Sequence, residues 1–330
     1  MSHRSRLSNS AATLCGSLST ATLTDTCWRS WNDDHQDRRC RPKPDRARTM
    51  TTIKILLDRL VFPECPRWRG GSLWFADCHD GKVIQMSPDG DVVSAFEVPG
   101  GPAGMGWLPN GDLIVVSMAE LCVYRRGVDG QLVRHADLSG HFRHHANDMV
   151  VDQAGYSYVG EVGFRPDEEA RSTSVLLIRP DGAVAVAAED MMTPNGSVID
   201  DDHSYLVVAE SRERRLIRFK IGTGGALSDR RIFAQLGPDE VPDGICLDAE
   251  GCIWVASPRA HAVIRVHPSG HVLERIETGR LKPYACMLGG ADRRDLFVCL
   301  ARDHDPSATR RERRGAIGTV RVETPGSGRP

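Results

Sequence analysis

The sequence predicts an all-β chain folded as a six-bladed β-propeller closed by N- and C-terminal strands in the last blade. Short runs of β-branched and aromatic residues, turn residues between them, and six repeats of the whole unit carry that prediction. The clearest unit is VPDGICLDAEGCIWVASPRAHAVIRV, residues 241–266. Ile245, Leu247, Ile253, Trp254, Val255, Val263, Ile264 and Val266 suit a half-buried pleated surface. Asp248-Ala249-Glu250-Gly251 joins its first two strands, because Asp starts a turn well and Gly accepts positive φ. Ahead of the first strand stands Pro242-Asp243-Gly244.

Taken from the N-terminus, residues 1–49 are rich in Ser, Thr, Arg and Asp and carry no blade pattern. They are expected to be a disordered tail or a mis-assigned start, with translation beginning at Met50 and residues 50–330 forming one propeller domain. IKILLDRL, residues 53–60, leaves no room for a full blade before the first repeat. It is expected to pair with the C-terminal strand GAIGTVRVET, so that the ring closes with strands from both ends. The repeats are 63–86, 102–117, 147–160 continued by 174–180, 194–220, 241–266 and 283–300. The matching positions at their heads are read as Glu64, Gly104, Asn147, Asn195, Asp243 and Ala285, spaced by roughly 40 to 48 residues, the length of a four-stranded blade. The charged stretch 302–314 is expected to be a solvated loop.

Equivalent positions in a ring converge on its axis. The first strand of each blade lines the central channel, so these heads should meet at one mouth. Glu64, Asn147, Asn195 and Asp243 then place oxygen-bearing side chains around a common centre, a donor set suited to a hard cation. Arg143-His144-His145 cannot all face the channel, since neighbours on an extended chain point to opposite faces. Glu161, Met105 and Tyr284 follow or begin strand positions near the mouth and are candidates to line it.

A net charge of -2 and a sequence pI near 6.6 give no reason to expect a nucleic-acid or membrane partner. No apolar run is long enough to span a bilayer. Cys65, Cys78, Cys122, Cys246, Cys252, Cys286 and Cys299 fall mostly in strand patterns without CxxC pairs. They read as reduced core residues of a cytoplasmic protein.

Several separated motifs resemble the SMP-30/gluconolactonase (regucalcin-like) family: FPECPRW at 62–68, HAND at 145–148, TPNG at 193–196, PDGICLDAEGCIWVA at 242–256 and CMLGGADRRDLFVC at 286–299. The resemblance implies a six-bladed propeller binding one divalent cation in the channel mouth, and a hydrolase of sugar lactones. By it, Glu64, Asn195 and Asp243 match metal ligands, and Asn147 matches an asparagine contacting metal, water or substrate. Animal gluconolactonases carry an arginine two residues before that asparagine, where this chain has His145.

The expected activity is therefore a metal-dependent lactonase opening an aldonolactone such as gluconolactone, with Asp243 as general base and His145, Asn147 and Glu161 near the substrate. Calcium suits the all-oxygen donors best, with zinc, magnesium and manganese as alternatives. Hydrolysis of another ester or a non-sugar lactone, or a non-catalytic calcium-binding propeller, are the competing expectations. The oligomeric state is not legible in the sequence.

Overall fold

The computed structural model describes residues 52–163 and 168–329. The expectations for residues 1–49 lie outside the described residues. Six four-stranded antiparallel sheets follow one another along the chain, and five of them are built from consecutive strands. In the sixth, Lys54–Leu60 pairs with Gly315–Arg321, joining the start of the described chain to its last blade, as the sequence predicts. The inner strands are Pro63–Arg69, Pro102–Trp107, Ala146–Val151, Pro194–Ile199, Ile245–Leu247 and Lys282–Gly289. Each packs against the next, and the last returns to the first, which closes the ring.

Local chemistry explains the hairpins. Asp152, Asp200 and Asp248 stand at the same turn in three successive blades. Each accepts two backbone N–H bonds through Oδ1: from Ala154 and Tyr156, from Ser204 and Tyr205, and from Glu250 and Cys252. The turn also needs a residue at positive φ, supplied by Gly155 and Gly251, and in the middle blade by His203 at φ 56°.

The core lies between blade faces. Trp254 is fully buried in a cluster with Cys246, Cys286 and Phe297, where the fifth and sixth blades meet. The seven described cysteines are free and buried, as expected. No helix among the described residues is long and apolar enough to cross a membrane.

One segment departs from expectation. The stretch 302–314 is not a plain solvated loop. It contains a helix, Pro306–Glu312, started by the Asp305 side chain accepting from Ala308 N and by a proline in the first turn. That helix docks on the first blade. Thr309 Oγ1 meets His79 Nδ1 at 2.8 Å, Arg310 donates to the His79 carbonyl, and Arg313 pairs with Asp80 at 3.0 Å. The C-terminal run beyond the last strand also returns to the blades. Its Pro325 carbonyl accepts from Ala249 N, Ser327 N donates to Leu247, and Arg329 and Ile199 exchange backbone bonds at 2.8 Å.

Candidate functional site

The register of the ladders fixes which residues stand level at the mouth. Pro63 pairs with Asp77, Pro102 with Ser117, Ala146 with Glu161 and Pro194 with Glu210, each opening an inner strand, and Pro283, second in its strand, pairs with Leu300. The next residues are Glu64, Ala103, Asn147, Asn195 and Tyr284. In the fifth blade Asp243 N donates to Ala256 O, which places Asp243 at the same level. The sequence assignment of Gly104 and Ala285 is therefore one residue late. The sequence itself agrees, since Pro102-Ala103-Gly104 aligns without a gap on Pro194-Asn195-Gly196 and Pro242-Asp243-Gly244.

The displaced residues have a different task. A Cβ on Gly104 would lie 2.0 Å from Met149 N, one on Gly196 2.6 Å from Ile245 N, and one on Gly244 2.4 Å from the Ala285 Cβ. Small residues here let successive inner strands approach closely, which draws the mouth residues together.

Glu64 and Asp243 are close enough for their charges to interact. Burial, and next the Asp243 charge, hold the Glu64 carboxyl well above its ordinary range. Burial likewise pushes the Asp243 carboxyl up to about 7, against a hydrogen bond from the Asn195 side chain. Asn195 Nδ2 also donates to Ser211 Oγ at 3.2 Å, and Ser211 Oγ donates to the Pro242 carbonyl at 2.7 Å. Ser211 thus ties two mouth positions together, a role with no local signal in the sequence. Asn147 Nδ2 approaches the Pro194 carbonyl at 3.4 Å, linking the third blade to the fourth.

Beneath this mouth lies a second group that sequence reasoning missed. Arg67, 2% exposed, donates Nε to Met105 O, Nη1 to Pro66 O, and Nη2 to both Asp148 Oδ1 at 2.6 Å and Met149 O. This guanidinium, whose charge Glu64 feels, is thereby committed to Asp148 and main-chain carbonyls.

Two half-buried carboxylates with a raised proton affinity and two amides make a donor set that a divalent cation would complete, the neighbouring arginine being already engaged. Each amide has a carbonyl oxygen to offer. Among the described residues there is no cluster of three or more His, Cys, Asp or Glu side chains fit to hold an ion, so the candidate centre is this mixed oxygen set.

Glu161 does not join the mouth. It is 4% exposed, and its carboxylate accepts from the backbone N–H groups of Arg143 at 2.6 Å and His144 at 2.7 Å and from the Thr173 hydroxyl. Asp77 and Glu210, at the same place in their blades, hold the Val61, Phe62 and Met192 N–H groups in the same way. The expected substrate contact is corrected to an internal brace for the loop that carries His145. His145 itself is exposed on the rim. Tyr284 is buried, edge-on to Phe62 at 4.7 Å, with a hydroxyl that has no hydrogen-bond partner among the described residues. Phe62 in turn stacks on His79 at 4.4 Å.

Residues 62–302 match the SMP-30/Gluconolactonase/LRE-like region. The chain belongs to this family. Members similar to it include the 6-deoxy-6-sulfogluconolactonase of Pseudomonas putida, 26% identical over 278 residues, covering 82% of this chain and 94% of the relative. Regucalcin of Oryctolagus cuniculus is also 26% identical, over 276 residues, with 80% and 92% covered. Among solved structures, a calcium-binding regucalcin of Agrobacterium tumefaciens superposes with a TM-score of 0.72 at 21% identity, covering 85% of this chain and 97% of the other. A gluconolactonase of Xanthomonas campestris gives 0.65 at 24% identity, covering 82% and 88%. At these identities the structural likenesses speak for the fold that the SMP-30/gluconolactonase family shares.

Proposed function

We propose that this protein is a lactonase that opens a sugar lactone, an aldonolactone such as gluconolactone, with the help of one divalent cation. The observation that carries the reading is the meeting of the Glu64 and Asp243 carboxylates at the channel mouth, with Asn147 and Asn195 at the same level. Family membership and the 6-deoxy-6-sulfogluconolactonase relative support the reaction class.

Glu64, Asn195 and Asp243 would hold the cation, with Asn147 beside it. When bound, a divalent cation supplies Lewis acidity, polarising the ester carbonyl and stabilising the oxyanion that forms there. Calcium fits the oxygen donors best, and the calcium-binding regucalcin neighbour has the same fold.

Asp243 is the proposed general base. Its carboxylate takes a proton from the attacking water as the water oxygen bonds to the carbonyl carbon. The ring C–O bond then breaks, the ring oxygen recovers the proton, and the open hydroxy acid leaves. Asn195 and Ser211 orient the Asp243 carboxylate. His145, on the rim, is the proposed contact for sugar hydroxyls. The buried thiols favour a reducing compartment such as the cytoplasm.

Acid release from a panel of sugar lactones, followed at constant pH with chelator and then cation add-back, tests the proposal. Turnover that is lost to the chelator and restored by the cation supports it. Saturable calcium binding without turnover of any lactone would instead make the protein a binding propeller.

A further inference from the structure

The six inner strands all run away from the metal-type mouth, so their far ends form a second mouth. Arg69 lies five residues beyond Glu64 on the same strand, roughly 16 Å away at ~3.3 Å per residue. The Arg67–Asp148 pair occupies the interval between them. The far mouth holds a pocket of about 320 Å³ whose lining includes Trp68, Arg69, Trp107, His203, Arg293 and Arg329.

The charges in this pocket are unbalanced. Arg69 places its guanidinium carbon over the Trp107 ring, 4.7 Å from the centroid. Its proton affinity is lowered by burial and by the charge of the neighbouring Arg329, which lines the same pocket. The Arg293 Nε and His203 Nδ1 atoms are buried without a hydrogen-bond partner among the described residues. Two aspartates also line the pocket, but they serve the backbone. Asp200 accepts from Ser204 N and Tyr205 N, and Asp201 from the Ser327 hydroxyl and from Gly328 N at 2.6 Å. Asp201 lies near enough to Arg293 to feel its charge, yet forms no ion pair with it among the described residues.

We propose that the far mouth is a binding site for a small oxyanion, phosphate or carboxylate in kind, gripped by Arg69, Arg293 and Arg329 against the Trp68 and Trp107 indoles. Guanidinium forks match such groups in pairs, and an anion between Arg69 and Arg329 removes their repulsion. Because Arg329 belongs to the C-terminal run, the ligand also pins that run to the first blade. The site is separate from the proposed catalytic mouth and does not depend on that assignment.

Calorimetric titration of the full chain with inorganic phosphate tests this. The protein is first stripped of cations on a chelating resin, and ionic strength is held with chloride. One saturable phosphate per chain is expected, weakened at least tenfold by Arg69→Ala and by Arg329→Ala, with Asp243→Asn within twofold of wild type. Circular dichroism checks that each variant is folded. Parallel titrations with a sugar phosphate and with citrate identify the source: tighter binding of either one over inorganic phosphate supports the site and names its natural ligand class. Absence of saturable binding by all three anions, equal affinity in the arginine variants, or loss of binding in Asp243→Asn overturns the proposal.

Discussion

Arg67 reaches from the first blade past the second to Asp148 in the third, Nη2 to Oδ1 at 2.6 Å, both side chains almost wholly buried. This ion pair forms a floor under the mouth and fixes the strand on which Asn147 sits.

Breaking one half of the pair leaves an uncompensated buried charge. Arg67→Met is expected to destabilise the protein by about 3–5 kcal/mol. Replacing Asp148 by Asn as well should recover part of that loss. Urea unfolding of the single and the double variant beside wild type checks this. A single variant as stable as wild type would show that the pair contributes no net stability.

Glu161 is predicted to act through the loop it braces. Glu161→Ala leaves the Arg143 and His144 N–H groups unpaired and should cost roughly 1–3 kcal/mol for each buried donor that water does not reach. If the role were substrate contact instead, the variant would keep its thermal midpoint and lose only affinity for the lactone.

His79 gives a pH signature. Burial first, then the Arg310 and His304 charges, lower its imidazole from 6.5 to about 4. The unfolded chain therefore takes up this proton before the folded chain does. The stability that neutral His79 contributes is complete above pH 6.5 and is lost as pH falls from there through about 4. Urea midpoints at pH 7.5 and 5 should differ less in His79→Asn than in wild type. Identical pH slopes would contradict the assignment.

The blade count and the ring closure were legible because hairpin chemistry is local: Asp248 and Gly251 announce their turn within four residues. The level of the mouth residues was legible only where a carboxylate or amide marked it. At Ala103 and Tyr284 no such mark exists, and the assignment fell on the residue after each. Asp305-Pro306 is a proper helix start, but the charges around it read as solvent-facing loop. Arg67 and Asp148 stand 81 residues apart, and Ser211 meets Pro242 across 31, so only the closed ring brings them together.

The shared centre at the mouth is tested most directly by measuring calcium binding and lactone hydrolysis side by side in wild type and Asp243→Ala. Wild type should bind one ion per chain at the mouth and turn over the lactone. The variant should lose both together, with hydrolysis down by roughly a hundredfold or more, while its circular dichroism stays that of a folded propeller. A folded Asp243→Ala protein that hydrolyses the lactone at the wild-type rate would contradict the account.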